Sequence, residues 1–169
     1  GVGVGAAQTS PGEIIWEFEA ADDLNRPPTV VDGTAFIHST QQLYAIDATT
    51  GTERWSYPIF GYLGPRPTVV DGMVFLADTN GRPVALDATS GDDVWSVDAE
   101  VRAAGCHGVV DGTLIVEDIQ NNIYGLSSTD GAERWRFERE NNQQVGPLFD
   151  GDTLYLMAGS SLHALDIAT

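Results

Sequence analysis

Short apolar runs alternate along the whole chain with turns rich in glycine, aspartate and asparagine. Residues 67–97 show the pattern most clearly. Pro67-Thr68-Val69-Val70 stops at Asp71-Gly72, a dipeptide that favours a two-residue hairpin. Met73-Val74-Phe75-Leu76-Ala77 follows, then the turn Asp78-Thr79-Asn80-Gly81, whose residues tolerate positive φ. Pro83-Val84-Ala85-Leu86-Asp87 and Asp93-Val94-Trp95-Ser96-Val97 complete a set of four strands. The pattern repeats: Thr34 to Ser39, Thr113 to Glu117 and Thr153 to Ala158 are predicted second strands, and Leu43 to Asp47, Ile123 to Ser127 and Leu162 to Asp166 predicted third strands. Leu114-Ile115-Val116 and Leu154-Tyr155-Leu156-Met157 are apolar on both sides, as expected of strands covered on both faces. No stretch has helical periodicity, so the chain is predicted to be all-β.

Two markers keep one period. Trp16, Trp55, Trp95 and Trp135 are 39, 40 and 40 residues apart, and Asp32-Gly33, Asp71-Gly72, Asp111-Gly112 and Asp150-Gly151 are 39, 40 and 39 apart. A repeat of about 40–45 residues with four short strands per unit predicts the blades of a β-propeller. The blades are expected over about residues 26–57, 66–98, 103–138 and 145–169, with residues 1–10 as a flexible leader lacking the charged and apolar regions of a signal peptide.

The segments from Ala45 through Gly51 to Trp55 and from Ala85 through Gly91 to Trp95 resemble the tryptophan-docking motif of PQQ-like repeats, the family of quinoprotein alcohol dehydrogenases and BamB-type scaffolds. A small residue and a turn glycine leave a flat slot in which a Trp ring stacks on backbone and joins neighbouring blades; Trp16 falls in the same phase. The third copy, Gly125 through Gly131 to Trp135, departs by carrying Gly for Ala and Ser127 for Asp. Docking is expected to survive there, with the Asp side-chain hydrogen bond in doubt. The resemblance spans about residues 11–169. It implies an extracytoplasmic or cell-surface setting.

Residues 12–18 and the fourth repeat look like complementary parts of one blade, so 12–18 is expected to complete the last blade. A four-blade ring closed within one chain satisfies this. So does an eight-blade ring in which the segment completes the last blade of a partner, a homodimer, or a longer parent propeller. The larger ring is preferred because related propellers have seven or eight blades.

Charge changes the picture of the partners. There are 25 acidic and 8 basic residues, a formal net charge of −17, and every basic residue is arginine. The acids are spread over all repeats, which is expected of a salt-adapted, halophilic protein. Nucleic acid and anionic membrane surfaces are excluded as expected partners, because they require a basic face. No apolar run reaches the length of a membrane-spanning helix.

Candidate chemistry is sparse. The resemblance to quinoprotein dehydrogenases would imply a vicinal Cys–Cys disulfide, a calcium site and a catalytic Asp, but the chain holds one cysteine, Cys106. Asp78, Glu117 and Asp118 are expected to be solvated loop acids. His38, His107 and His163 lack metal-ligand spacing and are expected to be structural, and adjacent positions point Cys106 and His107 to opposite strand faces. No cofactor, metal or catalytic residue is expected. The best binding candidates precede the inner strands, at the mouth of the central channel: Arg26, Tyr62, Arg66, Arg102, His107 and Gln144. Their arginines would make a locally less acidic mouth for an anionic group, or else pair with acids such as Asp22, Asp23 and Glu100. The expected function is a non-catalytic scaffold or binding module for a protein or ligand. The alternatives are a domain of a PQQ-dependent dehydrogenase and a small-molecule sensor domain.

Overall fold

The computed structural model describes residues 11–24, 26–59, 67–97, 101–139 and 146–167. Its strands are β1 (Thr29–Val31), β2 (Thr34–His38), β3 (Gln42–Asp47), β4 (Glu53–Pro58), β5 (Thr68–Val70), β6 (Met73–Ala77), β7 (Pro83–Asp87), β8 (Asp93–Ser96), β9 (Ala103–Val110), β10 (Thr113–Asp118), β11 (Ile123–Ser127), β12 (Glu133–Phe137), β13 (Leu148–Asp150), β14 (Thr153–Ala158) and β15 (Ser161–Asp166). They form consecutive antiparallel meanders, β1-β2-β3-β4, β5-β6-β7-β8, β9-β10-β11-β12 and β13-β14-β15. These are four propeller blades, the last with three strands.

Hairpin chemistry sets the period. Asp32 and Gly33 take φ of 47° and 72°, Asp71 and Gly72 take 51° and 74°, and Asp111 and Gly112 take 45° and 69°. Positive φ at both central residues matches the right-handed twist of the flanking strands. The fourth repeat corrects the sequence expectation. Asp150 is the last residue of β13 and pairs with Thr153, so Gly151-Asp152 makes the turn. The residue inserted between Gly151 and Thr153 moves the hairpin by one position. It also brings Asp152 against Asp111, whose hydrogen bond and charge, with Asp166 beyond, raise the Asp152 carboxyl above its ordinary value.

The tryptophans couple neighbouring blades. Within a blade, Ala45 pairs with Trp55, Ala85 with Trp95 and Gly125 with Trp135, each beside a register shift between the third and fourth strands. Such bulges re-aim side chains, and each indole leaves its own sheet for the following blade. Trp55 Nε1 donates to Ala88 O at 3.1 Å, Trp95 Nε1 to Ser128 O at 2.9 Å and Trp135 Nε1 to Ile167 O at 3.1 Å. Trp16, in the segment before β1, does the same to Ala48 O at 3.0 Å. The turn glycine is needed for this approach: a Cβ on Gly91, at φ 77°, would lie 2.7 Å from the Trp55 ring. In the third blade the indole sits so close to its cross-strand partner that a Cβ on Gly125 would overlap Trp135, which accounts for glycine replacing alanine there.

The Ser127 substitution has the foreseen consequence. Asp47 Oδ1 accepts from Thr49 N and Thr50 N, and Asp87 Oδ1 from Thr89 N and Ser90 N. Arg54 binds Asp47 at 2.7 Å, and with the two backbone bonds it holds that carboxyl well below the usual range. Ser127 bonds Thr129 Oγ1 instead.

Apolar cores lie between blades. Phe36, Leu43 and Ala45 pack on Val74, Leu76 and Leu86 of the second blade. Phe75 and Ala85 pack on Leu114, Val116 and Leu126 of the third. Ile115 and Ile123 pack on Leu154 and Leu156 of the fourth. Phe18 and Ala20 cover Ala35, Tyr44 and Ile46 on the opposite side of the first blade. Among the described residues no core cluster joins the fourth blade to the first. Leu162 is 69% exposed, whereas Leu43, at the same place in the first blade, is 1% exposed. Ala164 is likewise exposed where Ala45 and Ala85 are fully buried. The described blades therefore form an arc without a packed seam between the fourth and the first. Residues 12–18, expected to complete the last blade, do not pair with β15; they lie along the first blade through Trp16 and Phe18. Among the described residues nothing covers the fourth blade's leading face or the β15 edge.

Candidate functional site: the concave channel face

Strands β1, β5, β9 and β13 stand side by side on the inside of the arc and wall a cavity of about 840 Å³. That volume is within the usual range of small-ligand sites, roughly 300–1,000 Å³. Thr29 and Thr68 occupy corresponding positions on the first two inner strands, a position taken in register by Gly108 on the third and Leu148 on the fourth. The threonines are latches between blades: Thr29 Oγ1 donates to Pro67 O at 2.8 Å and Thr68 Oγ1 to Cys106 O at 3.1 Å.

His107 stands beside Gly108 at a register shift of β9. Its Nε2 lies 3.0 Å from Glu117 Oε2, and Glu117 Oε1 accepts from Arg139 Nη1 at 3.2 Å. The Arg139 side chain is fully buried, and its backbone N donates to Asn122 Oδ1. Following β12, Arg139 thus reaches under the third blade to Glu117 on β10, and Glu117 holds the imidazole of β9 at the channel wall. His107 and Glu117 line the cavity, and among the described lining residues there is no arginine.

The other predicted mouth residues are dispersed. Arg26 is half-buried and near His38, whose imidazole is held below its ordinary pKa by burial first and by the Arg26 charge as well. Arg102 is exposed outside the channel, where its carbonyl accepts from Ile119 N and Ala103 N donates to Gly81 O, joining the second and third blades. Tyr62, Arg66 and Gln144 lie outside the described residues. His163 is half-buried with its ring 5.5 Å from that of Phe137.

Asp78 and Asp118 are not solvated loop acids: they are 5% and 4% exposed. Each folds back over its turn. Asp78 Oδ1 accepts from Asn80 N and Arg82 N, and Asp118 Oδ1 from Gln120 N and Asn122 N. Asp78 keeps a lowered pKa because those bonds and the Arg82 charge outweigh burial, the largest single influence, which acts the other way.

Cys106 is buried in the second interblade core, and burial pushes its thiol up to about 12. A thiol so protonated is a poor nucleophile. Thiol titration of the folded chain is expected to find no reactive cysteine, with one appearing on denaturation; rapid reaction in the native state would show that the β5–β9 seam opens.

A stack of four-stranded meanders joined by tryptophans places the chain among β-propellers of the PQQ-like class. The chain matches the family described as "Outer membrane protein assembly factor BamB" over residues 3–108 and 62–169, and it belongs to that PQQ-like repeat family. Among solved structures it is similar to BamB from Moraxella catarrhalis, with a TM-score of 0.70 and 20% identity over 86% of this chain and 46% of that one. It is also similar to the computationally designed Ika4 protein, with a TM-score of 0.76 and 10% identity over 93% of this chain and 99% of that one. At these identities the likeness is one of fold. A stretch of 63 residues is 44% identical to the serine/threonine-protein kinase AfsK of Streptomyces coelicolor, over 35% of this chain and 8% of the kinase. The chain thus spans under half of that BamB and matches under a tenth of AfsK.

Proposed function

We propose that the chain is a non-catalytic, salt-adapted propeller module that works as a protein-binding scaffold, and that its first partner is a second copy of itself. The carrying observation is the uncovered fourth blade. Ala164 stands exposed at the position where Ala45 and Ala85 each pair with a tryptophan, and Leu162 and Met157 are exposed on the same blade. Residues 13–18 carry the matching parts: Trp16 is docked forward onto the first blade as every fourth-strand tryptophan docks onto the next, and Ile14 and Ile15 are 79% and 66% exposed. Laid along β15 of another copy, this segment places Trp16 opposite Ala164 and closes two arcs into an eight-blade ring. An open strand edge beside apolar side chains is an association site.

The single cysteine argues against quinoprotein dehydrogenase chemistry of the vicinal-disulfide kind. Kinship with an outer-membrane assembly factor favours an extracytoplasmic or cell-surface scaffold, and the AfsK match favours a module that also serves inside larger proteins. Light scattering in molar KCl tests the assembly. A mass of two chains is expected, falling to one in Ala164→Arg, which fills the slot with a charged side chain. A one-chain mass for the parent protein would overturn the reading.

A further inference from the structure

We propose that the third-blade wall of the channel cavity binds a small neutral polyhydroxylated ligand, a sugar or polyol, through a hydroxyl hydrogen-bonded to His107 Nδ1. The inference is independent of strand exchange, because every residue it uses belongs to one arc. Glu117 and Arg139 fix the ring. With a carboxylate oxygen 3.0 Å from Nε2, that nitrogen carries the proton and Nδ1 is left as an acceptor. Thr29 and Thr68 are spent on backbone carbonyls of the next blade, but His107 is tied back into its own blade and leaves Nδ1 without a hydrogen-bond partner among the described residues.

The opposing residue keeps the space open. Gly146 of the fourth blade lies beside the His107 ring on the cavity wall. A Cβ on Gly146 would stand 3.7 Å from His107 Cε1 and 3.9 Å from Nδ1, in ordinary contact with the edge of the ring that the ligand must reach.

Charge selects the ligand class. The described lining has no arginine to receive an anion, and the chain as a whole is at −17. A cation finds no spare carboxylate, since both Glu117 oxygens are engaged. The wall also presents Val30, Val69 and Phe149 beside Pro28 and Pro147, which offer carbonyl acceptors without N–H donors, and Asn121. A sugar or polyol matches both features, with C–H faces for the apolar wall and O–H donors for the acceptors.

Glucose, trehalose and myo-inositol are the probes, titrated into the full chain in KCl by calorimetry, with the imidazole nitrogens followed by NMR. At least one is expected to bind saturably, at about 10 mM or tighter, and to shift His107 Nδ1 while Nε2 keeps its proton. Gly146→Ala, which adds one methyl at normal contact distance, is expected to weaken binding about tenfold with the fold intact. His107→Thr, which removes the imidazole, is expected to abolish it. Absence of saturable binding by all three probes would overturn the proposal, as would an affinity that either variant leaves unchanged.

Discussion

Trp95→Ala is expected to destabilise the folded chain by about 3 kcal/mol, at the low end of the range for removing a large aromatic from a packed site. The ring is partly buried and packs against the core shared by the second and third blades. A Cβ on Gly131, one blade ahead, would approach its Cε3 to 2.8 Å, which shows how closely the indole rests on that turn. Truncation removes this contact, the tilted packing on Phe75 at 6.0 Å and the bond to Ser128 O. Alanine leaves that carbonyl to water, so the hydrogen bond adds only about 1 kcal/mol. Trp95→Phe should therefore recover most of the loss. Urea unfolding of the three proteins measures the difference; a cost below about 1 kcal/mol for Trp95→Ala would mean that the seam is held by the aliphatic core alone.

Withdrawing salt is the second large perturbation. Exposed Asp32, Asp71 and Asp111 recur at the tip of the same hairpin in three blades, and Asp152 is set against Asp111. With a net charge of −17, folding brings these charges together with few cations to offset them. Salt shortens the reach of the repulsion from about 10 Å at 0.1 M to about 3 Å at 1 M. A gain of about 3 kcal/mol from screening corresponds to a rise in Tm of roughly 10 °C for a chain of this size. Thermal unfolding between 0.1 and 2 M KCl reads it directly. A flat profile would mean that the acids are too well solvated for their repulsion to matter, and salt adaptation would fall with it.

The period, the strands and the tryptophan slots were legible because each rests on a local pattern: a turn dipeptide, an apolar run, a small residue in phase. The fourth hairpin was misplaced because Asp150-Gly151 still has the turn composition, while one added residue moves the turn to Gly151-Asp152. Asp78 and Asp118 look like loop acids in sequence, and only the fold shows their carboxylates turned inward onto backbone N–H groups. At the channel, His107 was legible as a candidate. Its partners were not, since Glu117 is 10 and Arg139 is 32 positions away and neither falls in a motif. The available signal was comparison between repeats: the third carries Gly108 where two others carry threonine, which marks an irregularity beside His107. Arg102, expected at the mouth, is exposed away from the cavity, because short sequence distance from a channel strand does not place a side chain in the channel.

Each tryptophan bonds a carbonyl 32 or 33 residues further along the chain. In terms of folding kinetics, every seam closes a loop shorter than one repeat, and no seam waits for a distant part of the chain. Loop closure of this span costs little more than that of a much shorter one, so ordering can spread from blade to neighbouring blade in the manner of a one-dimensional array. During synthesis a blade would lock as soon as its successor emerged.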